Sequence, residues 1–340
     1  MTIREFARLP DGTVVHEISL LNAAGATASV LTFGAALRDF VVPLADGSRR
    51  RVVLGFDGIE GYLDNPRYLG VTVGRHASRI DGGRVTIDGK THQLSLNTAG
   101  IHLHGGVTGF SRKVWELRDH GADFVTLGLV SPDGDDGYPG RLDVALTYRL
   151  DLPATFSVEI EATTDAPTLV SLAQHSYWTL TPGISTRDHL LRFFASRYVP
   201  FGDDMNPQGT IEPVAGTPYD FRDARVIGDP RFGADFAYDC YLVIDRDGPG
   251  LAPAARLAAP DGSLALDVVT TEPGIVLYDG AGLAPGAPDL GGALHFPNAG
   301  LCLEPMRFPD NPNRPAFPSA RLNPGETYRQ RTEYRLAPAA

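Results

Sequence analysis

Three short stretches carry side chains whose types and spacing could do chemistry. The first is His102-Leu103-His104-Gly105-Gly106. On an extended chain residues i and i+2 share a face, so the two imidazoles are expected side by side, and the glycines after them let another backbone or a ligand come close. His-x-His also supplies two metal ligands, which a distant His175 or Glu304 could complete to a three-residue site. The second is Gln174-His175-Ser176-Tyr177-Trp178, following the apolar run Leu169-Val170-Ser171-Leu172-Ala173. Aromatic faces beside hydrogen-bonding groups suit a sugar, whose C–H face packs on a ring while its hydroxyls need fixed partners. A core aromatic pair with a buried histidine is spelled the same way. The third is Leu301-Cys302-Leu303-Glu304-Pro305, one carboxylate among apolar neighbours, followed by a proline-rich loop from Phe308 to Pro318. Such an acid is either a paired structural charge or a base whose pKa desolvation lifts toward neutrality. His16, His76, His92, His120, His189 and His295 read as surface or satisfied core residues.

The elements that must position these groups are strands. The 38 glycines and 27 prolines are spread along all 340 residues and leave few stretches able to sustain a long helix. Between Arg141 and Leu150, Leu142, Val144, Leu146, Tyr148 and Leu150 alternate with Asp143, Thr147 and Arg149, the period of a half-buried strand. Val158, Ile160 and Ala162 repeat the pattern. Tyr328, Gln330, Thr332, Tyr334 and Leu336 do so near the end, facing away from Arg329, Arg331 and Glu333. Asp11-Gly12, Asp46-Gly47, Asp88-Gly89, Asp133-Gly134 and Asp261-Gly262 are the dipeptides that tight hairpins favour. These signals predict an all-β fold, a large antiparallel β-sandwich, with one short helix around Ile59 to Leu63. No composition shift, linker or repeat divides the chain, so residues 1–340 are expected to form a single domain.

Composition narrows the function. With 43% hydrophobic residues the chain can bury a large core. Its net charge of −11 disfavours a nucleic-acid partner, because no Lys/Arg stripe is present to release counterions. Cys240 and Cys302 are too few for a disulfide scaffold or a four-cysteine zinc site and are expected to be reduced and structural. The first thirty residues lack a basic start followed by an apolar run, and no segment reaches the roughly 20 apolar residues that span a bilayer. A soluble, cytoplasmic protein with no membrane partner is expected.

Taken together and in order, these clusters resemble the aldose 1-epimerase family, the galactose mutarotases, from about Leu31 to Leu336. The motifs are GRHASRI at 74 to 80, HLHGGVTGFSRKVW at 102 to 115, GYPGRLDVALTYRL at 137 to 150, QHSYW at 174 to 178, TTEPG at 270 to 274, and LEPMRFPDNPNRPAFPS followed by LNPGETYRQRTEY. The resemblance implies a galactose mutarotase-like supersandwich acting on a free aldose without a cofactor or metal. It implies that Glu304 is the general base that takes the proton of the anomeric hydroxyl. His175 is then the general acid that protonates the ring oxygen, and His104 helps to position that oxygen. Arg79 holds sugar hydroxyls, Ser78 stands where the family has Asn, and Tyr177 lies at the sugar.

Two positions depart from the family pattern. Tyr238-Asp239-Cys240-Tyr241 stands where Asp-His-Asn is common before an aromatic, so the sugar-binding acid is Asp239 in shifted register, Asp235, or missing. Val276 stands where a Gln often follows TTEPG, and an apolar side chain there favours a sugar that lacks or reorients one hydroxyl. A pentose, or glucose over galactose, is expected. Three other readings share the fold. A carbohydrate-binding or sensor protein needs no Glu304 with His175. A sugar-phosphate epimerase needs converging bases, for which Arg75, Arg79 and Arg307 are the candidates. A glycoside hydrolase or lyase needs a second carboxylate or a tyrosine base near the first.

Overall fold

The computed structural model describes residues 1–233 and 235–339. Most of the strand residues lie in three antiparallel sheets. The first, of five strands, is built from Thr2–Arg8, Val14–Leu21, Thr27–Leu31, Ala36–Pro43 and Arg49–Arg51 in chain order. The second has nine strands in the order Glu116–His120, Phe124–Ser131, Leu142–Asp151, Thr155–Thr164, Tyr328–Ala337, Ala265–Thr270, Ala252–Ala258, Leu190–Phe193 and Arg225–Val226. The third, of six strands, runs Tyr177–Trp178, Leu301–Met306, Gly274–Tyr278, Asp239–Val243, Arg197–Val199 and Glu212–Pro213.

The expected alternation is present residue by residue. Leu142, Val144, Leu146, Tyr148 and Leu150 are buried in the Leu142–Asp151 strand while their neighbours are partly exposed. Tyr328, Gln330, Thr332, Tyr334 and Leu336 are buried in Tyr328–Ala337. Asp88 and Gly89 both take positive φ between the paired strands Arg84–Ile87 and Lys90–Gln93, as a two-residue hairpin requires. At Asp11, Asp46 and Asp261 the carboxylate instead accepts the N–H two residues on, from Thr13, Ser48 and Ser263, which closes each turn locally. The helix Ile59–Leu63 forms as expected. Gly61 lies against the Phe56 ring, where a Cβ has no room.

The inner face of the nine-stranded sheet meets both other sheets. Val144, Leu146, Phe156, Val158 and Ile160 join Ile18 and Phe40 of the five-stranded sheet and Leu242, Leu277 and Leu303 of the six-stranded sheet in one core. Trp178 stacks on Tyr334 with ring centroids 4.6 Å apart, and the Tyr334 hydroxyl donates to the Leu303 carbonyl at 3.0 Å, fastening the six-stranded sheet to the nine-stranded one. Each such side chain contributes about 1.5–3 kcal/mol on burial. The other face of the six-stranded sheet, with Tyr241, Val276, Cys302 and Met306, is covered by loops and forms a second core. No helix among the described residues is long and apolar enough to cross a membrane, which says nothing of a β-barrel.

Candidate active site

The six-stranded sheet sets out the site by register. Side chains directly opposite on antiparallel strands share a face. Asp239 pairs with Tyr278, Tyr278 with Cys302, and Cys302 with Tyr177, so these four form one row across four strands. Two residues along, Tyr241 pairs with Val276 and Val276 with Glu304, forming the next row. Leu301 and Leu303 point the other way, into the main core, which leaves Cys302 and Glu304 on the face under the loops. Asp239, Tyr278, Tyr177, Val276 and Glu304 line one pocket with Ser78, Arg79, His104 and His175.

His175 enters from the segment between Ala173–Gln174 and Tyr177–Trp178. Its backbone is held on both sides, its N–H donating to the Val71 carbonyl and its carbonyl accepting from Gly70, each at 2.9 Å. The imidazole is buried between two aromatic faces, Tyr177 at 5.4 Å and Tyr68 at 5.9 Å between centroids, with interplanar angles of 27° and 30°. Its Nε2 faces Glu304 Oε1 at 3.5 Å. Glu304 Oε2 is buried with no hydrogen-bond partner among the described residues.

His104 follows the Ile101–Leu103 strand, whose Leu103 pairs with Arg79. It breaks the extended run with φ of 51°. Backbone and ring are tied to Ser78 reciprocally: the His104 N–H donates to the Ser78 carbonyl at 3.0 Å and the Ser78 N–H donates to Nδ1 at 3.2 Å. Because Nδ1 must accept, the neutral ring carries its proton on Nε2. The change of backbone conformation also corrects one expectation. His102 does not stand beside His104; it is buried between the Ser95 carbonyl at 2.7 Å and the Tyr138 hydroxyl at 2.6 Å. What approaches the glycine after His104 is the backbone of Gly74. The groups that converge are His104, His175 and Glu304, whose ligand-type atoms lie within 4.8 Å of one another.

Burial dominates the electrostatics. It lifts Glu304 well above the ordinary carboxylate range; the charge of Asp239 adds to that and Arg79 opposes it. It draws His175 down to about 4. His104 also falls well below the usual imidazole value, through burial and then through His175. Burial thus disfavours charge on both groups, and a carboxyl and an imidazole in contact titrate as a coupled pair.

Arg79 Nη2 donates to Asp239 Oδ2 at 2.8 Å on the pocket wall. Asp239 thus lines the pocket, whereas Asp235 is exposed and outside it. Arg75 and Arg307 do not converge with Arg79. The Arg75 guanidinium is buried against the carbonyls of Ser131, Pro132 and Pro139 and the hydroxyls of Ser131 and Thr168, and Arg307 donates to the Ser319 carbonyl. Sequence reasoning passed over Arg67, Tyr68, Tyr278 and Cys302. Tyr278 and Cys302 were recoverable, because each lies two residues from a singled-out position on the same strand, Val276 and Glu304. Tyr68 gives no such signal: it sits in a loop at φ of 55° and reaches both histidines only through the fold. The reduced cysteines lie on opposite sheet faces, and Cys302 Sγ lies 3.4 Å from His175 Nδ1.

A polar pocket on a large β-sandwich, floored by a buried carboxyl and imidazole and walled by an arginine, an aspartate and tyrosines, defines a sugar-handling acid–base enzyme. Comparison with known proteins narrows this. The family model described as aldose 1-epimerase matches residues 16–335. The aldose 1-epimerase of Escherichia coli K12 is 36% identical over 338 residues, covering 97% of each chain. The galactose mutarotase of Mus musculus is 34% identical over 340 residues, covering 98% of each. The crystal structure of the GalM/aldose epimerase homologue of C. elegans superposes with a TM-score of 0.90 at 30% identity, covering 95% of this chain and 99% of that one. The chain belongs to the aldose 1-epimerase family, and its fold is galactose mutarotase-like. Its function is the isomerisation that defines the family, interconversion of the α and β anomers of an aldose.

Proposed function

We propose that Glu304 is the general base and His175 the general acid of this mutarotation, acting on a free aldose. The observation that carries this reading is the 3.5 Å approach of Glu304 Oε1 to His175 Nε2 on the buried pocket floor. Opening a cyclic hemiacetal removes a proton from O1 and delivers one to the ring oxygen. Both oxygens are bonded to C1, so the two groups that serve them must be neighbours. With one proton shared by the pair and held on His175, Glu304 takes the O1 proton while His175 protonates the ring oxygen and the C1–ring-oxygen bond breaks. Rotation about C1–C2 presents the other carbonyl face, and the ring closes with both transfers reversed. Each transfer contributes typically ~10²–10⁴-fold.

His104, with its proton on Nε2 by virtue of Ser78, donates to the ring oxygen as charge grows there. Arg79 and Asp239 form a paired donor and acceptor for sugar hydroxyls, and Tyr177 offers a wall for the C–H face. Val276, beside Glu304 in the same row, offers no hydrogen bond, which supports a preference for a pentose or for glucose over galactose. Residues 1–340 act as one unit in this reading, because the pocket draws residues from Ser78 to Glu304. A cytoplasmic setting suits two thiols left unpaired.

Polarimetry on freshly dissolved α-D-glucose, α-D-galactose, D-xylose and L-arabinose tests the proposal. Fast loss of rotation that Glu304→Gln abolishes is expected; equal rates for wild type and variant would remove Glu304 as the base.

A further inference from the structure

The assignment of acid and base leaves open what decides which edge of the His175 ring meets the sugar. The two stacking rings, Tyr177 and Tyr68, fix the plane of the imidazole. They do not fix its flip, since turning the ring over within the same slot exchanges each nitrogen for a carbon and preserves both stacks. The Glu304 contact at Nε2 favours one flip, and a partner at the opposite edge, at Nδ1, reinforces that choice. The only side chain hydrogen-bonded to Nδ1 among the described residues is Cys302, at 3.4 Å. Cys302 is fully buried and stands two residues from Glu304 on the same strand face. A single strand therefore engages both nitrogens of the ring, the thiol at Nδ1 and the carboxyl at Nε2.

We propose that Cys302 is a positioning residue for this reaction: its Sγ accepts the Nδ1–H of His175, reinforcing the ring flip and selecting the tautomer whose Nε2 exchanges the proton with Glu304 and the ring oxygen. The inference rests on the reading of Glu304 and His175 as base and acid. Because the shared proton comes and goes at Nε2, the Nδ1–H to sulfur contact persists through the neutral ring and the imidazolium alike, with no change in the net charge of the cysteine. A carboxylate at this position would lock the imidazolium in place. An uncharged thiol steers the ring and leaves the single proton free to move between His175 and Glu304. Burial suits this role, pushing the Cys302 thiol well above its ordinary value, with the charge of Glu304 acting in the same direction.

The test compares Cys302→Ser, which keeps a donor and acceptor, with Cys302→Ala, which keeps neither. For Cys302→Ala we expect kcat to fall about 3- to 10-fold, the effect of one hydrogen bond, with KM nearly unchanged. Cys302→Ser should recover most of that loss. The pH profile of kcat should shift in the alanine variant alone. The groups facing His175 are Glu304 and Cys302 from one strand, Tyr177 from its neighbour, and His104 and Tyr68 from the loops. The shift is therefore read against the profiles of His104→Asn and Tyr68→Phe. In ¹⁵N-histidine-labelled wild type, the ring-nitrogen shifts of His175 should report the Nδ1–H tautomer, and in Cys302→Ala a mixture. A folded alanine variant with wild-type kcat and pH profile overturns the proposal. So does an Nε2–H tautomer in the wild type, a measurement that stands even if the variants fail to fold. Retained activity in Glu304→Gln instead overturns the acid–base reading, whatever Cys302 does.

Discussion

Nε2 of His175 and Oε1 of Glu304 face each other at 3.5 Å, both almost fully shielded from water. Among the described residues this is the only ion pair that either group makes, so removing either leaves no second group to do its work. Glu304→Gln and His175→Asn are each expected to lower kcat by at least ~10²-fold, because each deletes one proton transfer. Polarimetric rates with unchanged circular dichroism check this, and a loss below about 10-fold speaks against the assignment.

The pH profile follows from the shared proton. Burial holds Glu304 protonated well above the carboxylate range and keeps His175 neutral down to about 4. Acidifying adds a second proton to the pair only near that value, leaving no base; raising the pH through the elevated Glu304 step removes the last proton, leaving no acid. A bell with its acid limb near pH 4 is expected, and its two apparent values belong to the pair. A single limb centred on the ordinary imidazole value of 6.5 counts against it.

Asp239 acts on Glu304 through its charge as well as on the sugar. Asp239→Asn removes the negative charge that raises Glu304, so the alkaline limb should move to lower pH. Arg79→Ala should move it the opposite way. Both should raise KM, roughly 10- to 100-fold for a hydrogen bond to a charged group, and the double variant should lose less than the product, because the two side chains pair with each other. A multiplicative double variant rules out the coupling.

Val276 tests specificity. Val276→Gln introduces an amide beside Glu304 and should raise kcat/KM for D-galactose relative to D-glucose about 2- to 10-fold, the effect of one neutral hydrogen bond. Unchanged ratios across glucose, galactose, xylose and arabinose place the specificity elsewhere.

Glu272 makes a stability prediction outside the pocket. It is buried, its Oε2 has no partner, and burial raises its pKa to about 7 against the attraction of Arg307 and Arg246. A carboxyl whose folded value exceeds its unfolded value adds stability that is full below about 4.5 and is lost as pH rises through 7. Between those values the chain should lose up to roughly 3 kcal/mol from this group, at 1.36 kcal/mol per unit. Glu272→Gln should therefore melt higher than wild type at pH 8 and no higher at pH 4. Equal melting temperatures at both pH values refute this.

The sequence by itself determined the strands and the inventory of the site. Alternation from Leu142 to Leu150 and from Tyr328 to Leu336, with the Asp-Gly turns, is local information, because side-chain period and turn chemistry are set by neighbours along the chain. The acid, the imidazole and the arginine stood out by type and company. Tertiary structure decided which of them meet. His102 and His104 look equivalent in sequence, and one left-handed residue separates them, sending one toward Tyr138 and the other toward His175. Arg75 and Arg79 share a motif, yet one is consumed by buried carbonyls and the other reaches Asp239, 160 residues away along the chain. Register did the rest. Whether Asp239 reaches the pocket, and whether Cys302 shares its face with Glu304 under His175, depends on which residues stand opposite across four strands. Those pairings join segments far apart in the chain, so no local pattern encodes them.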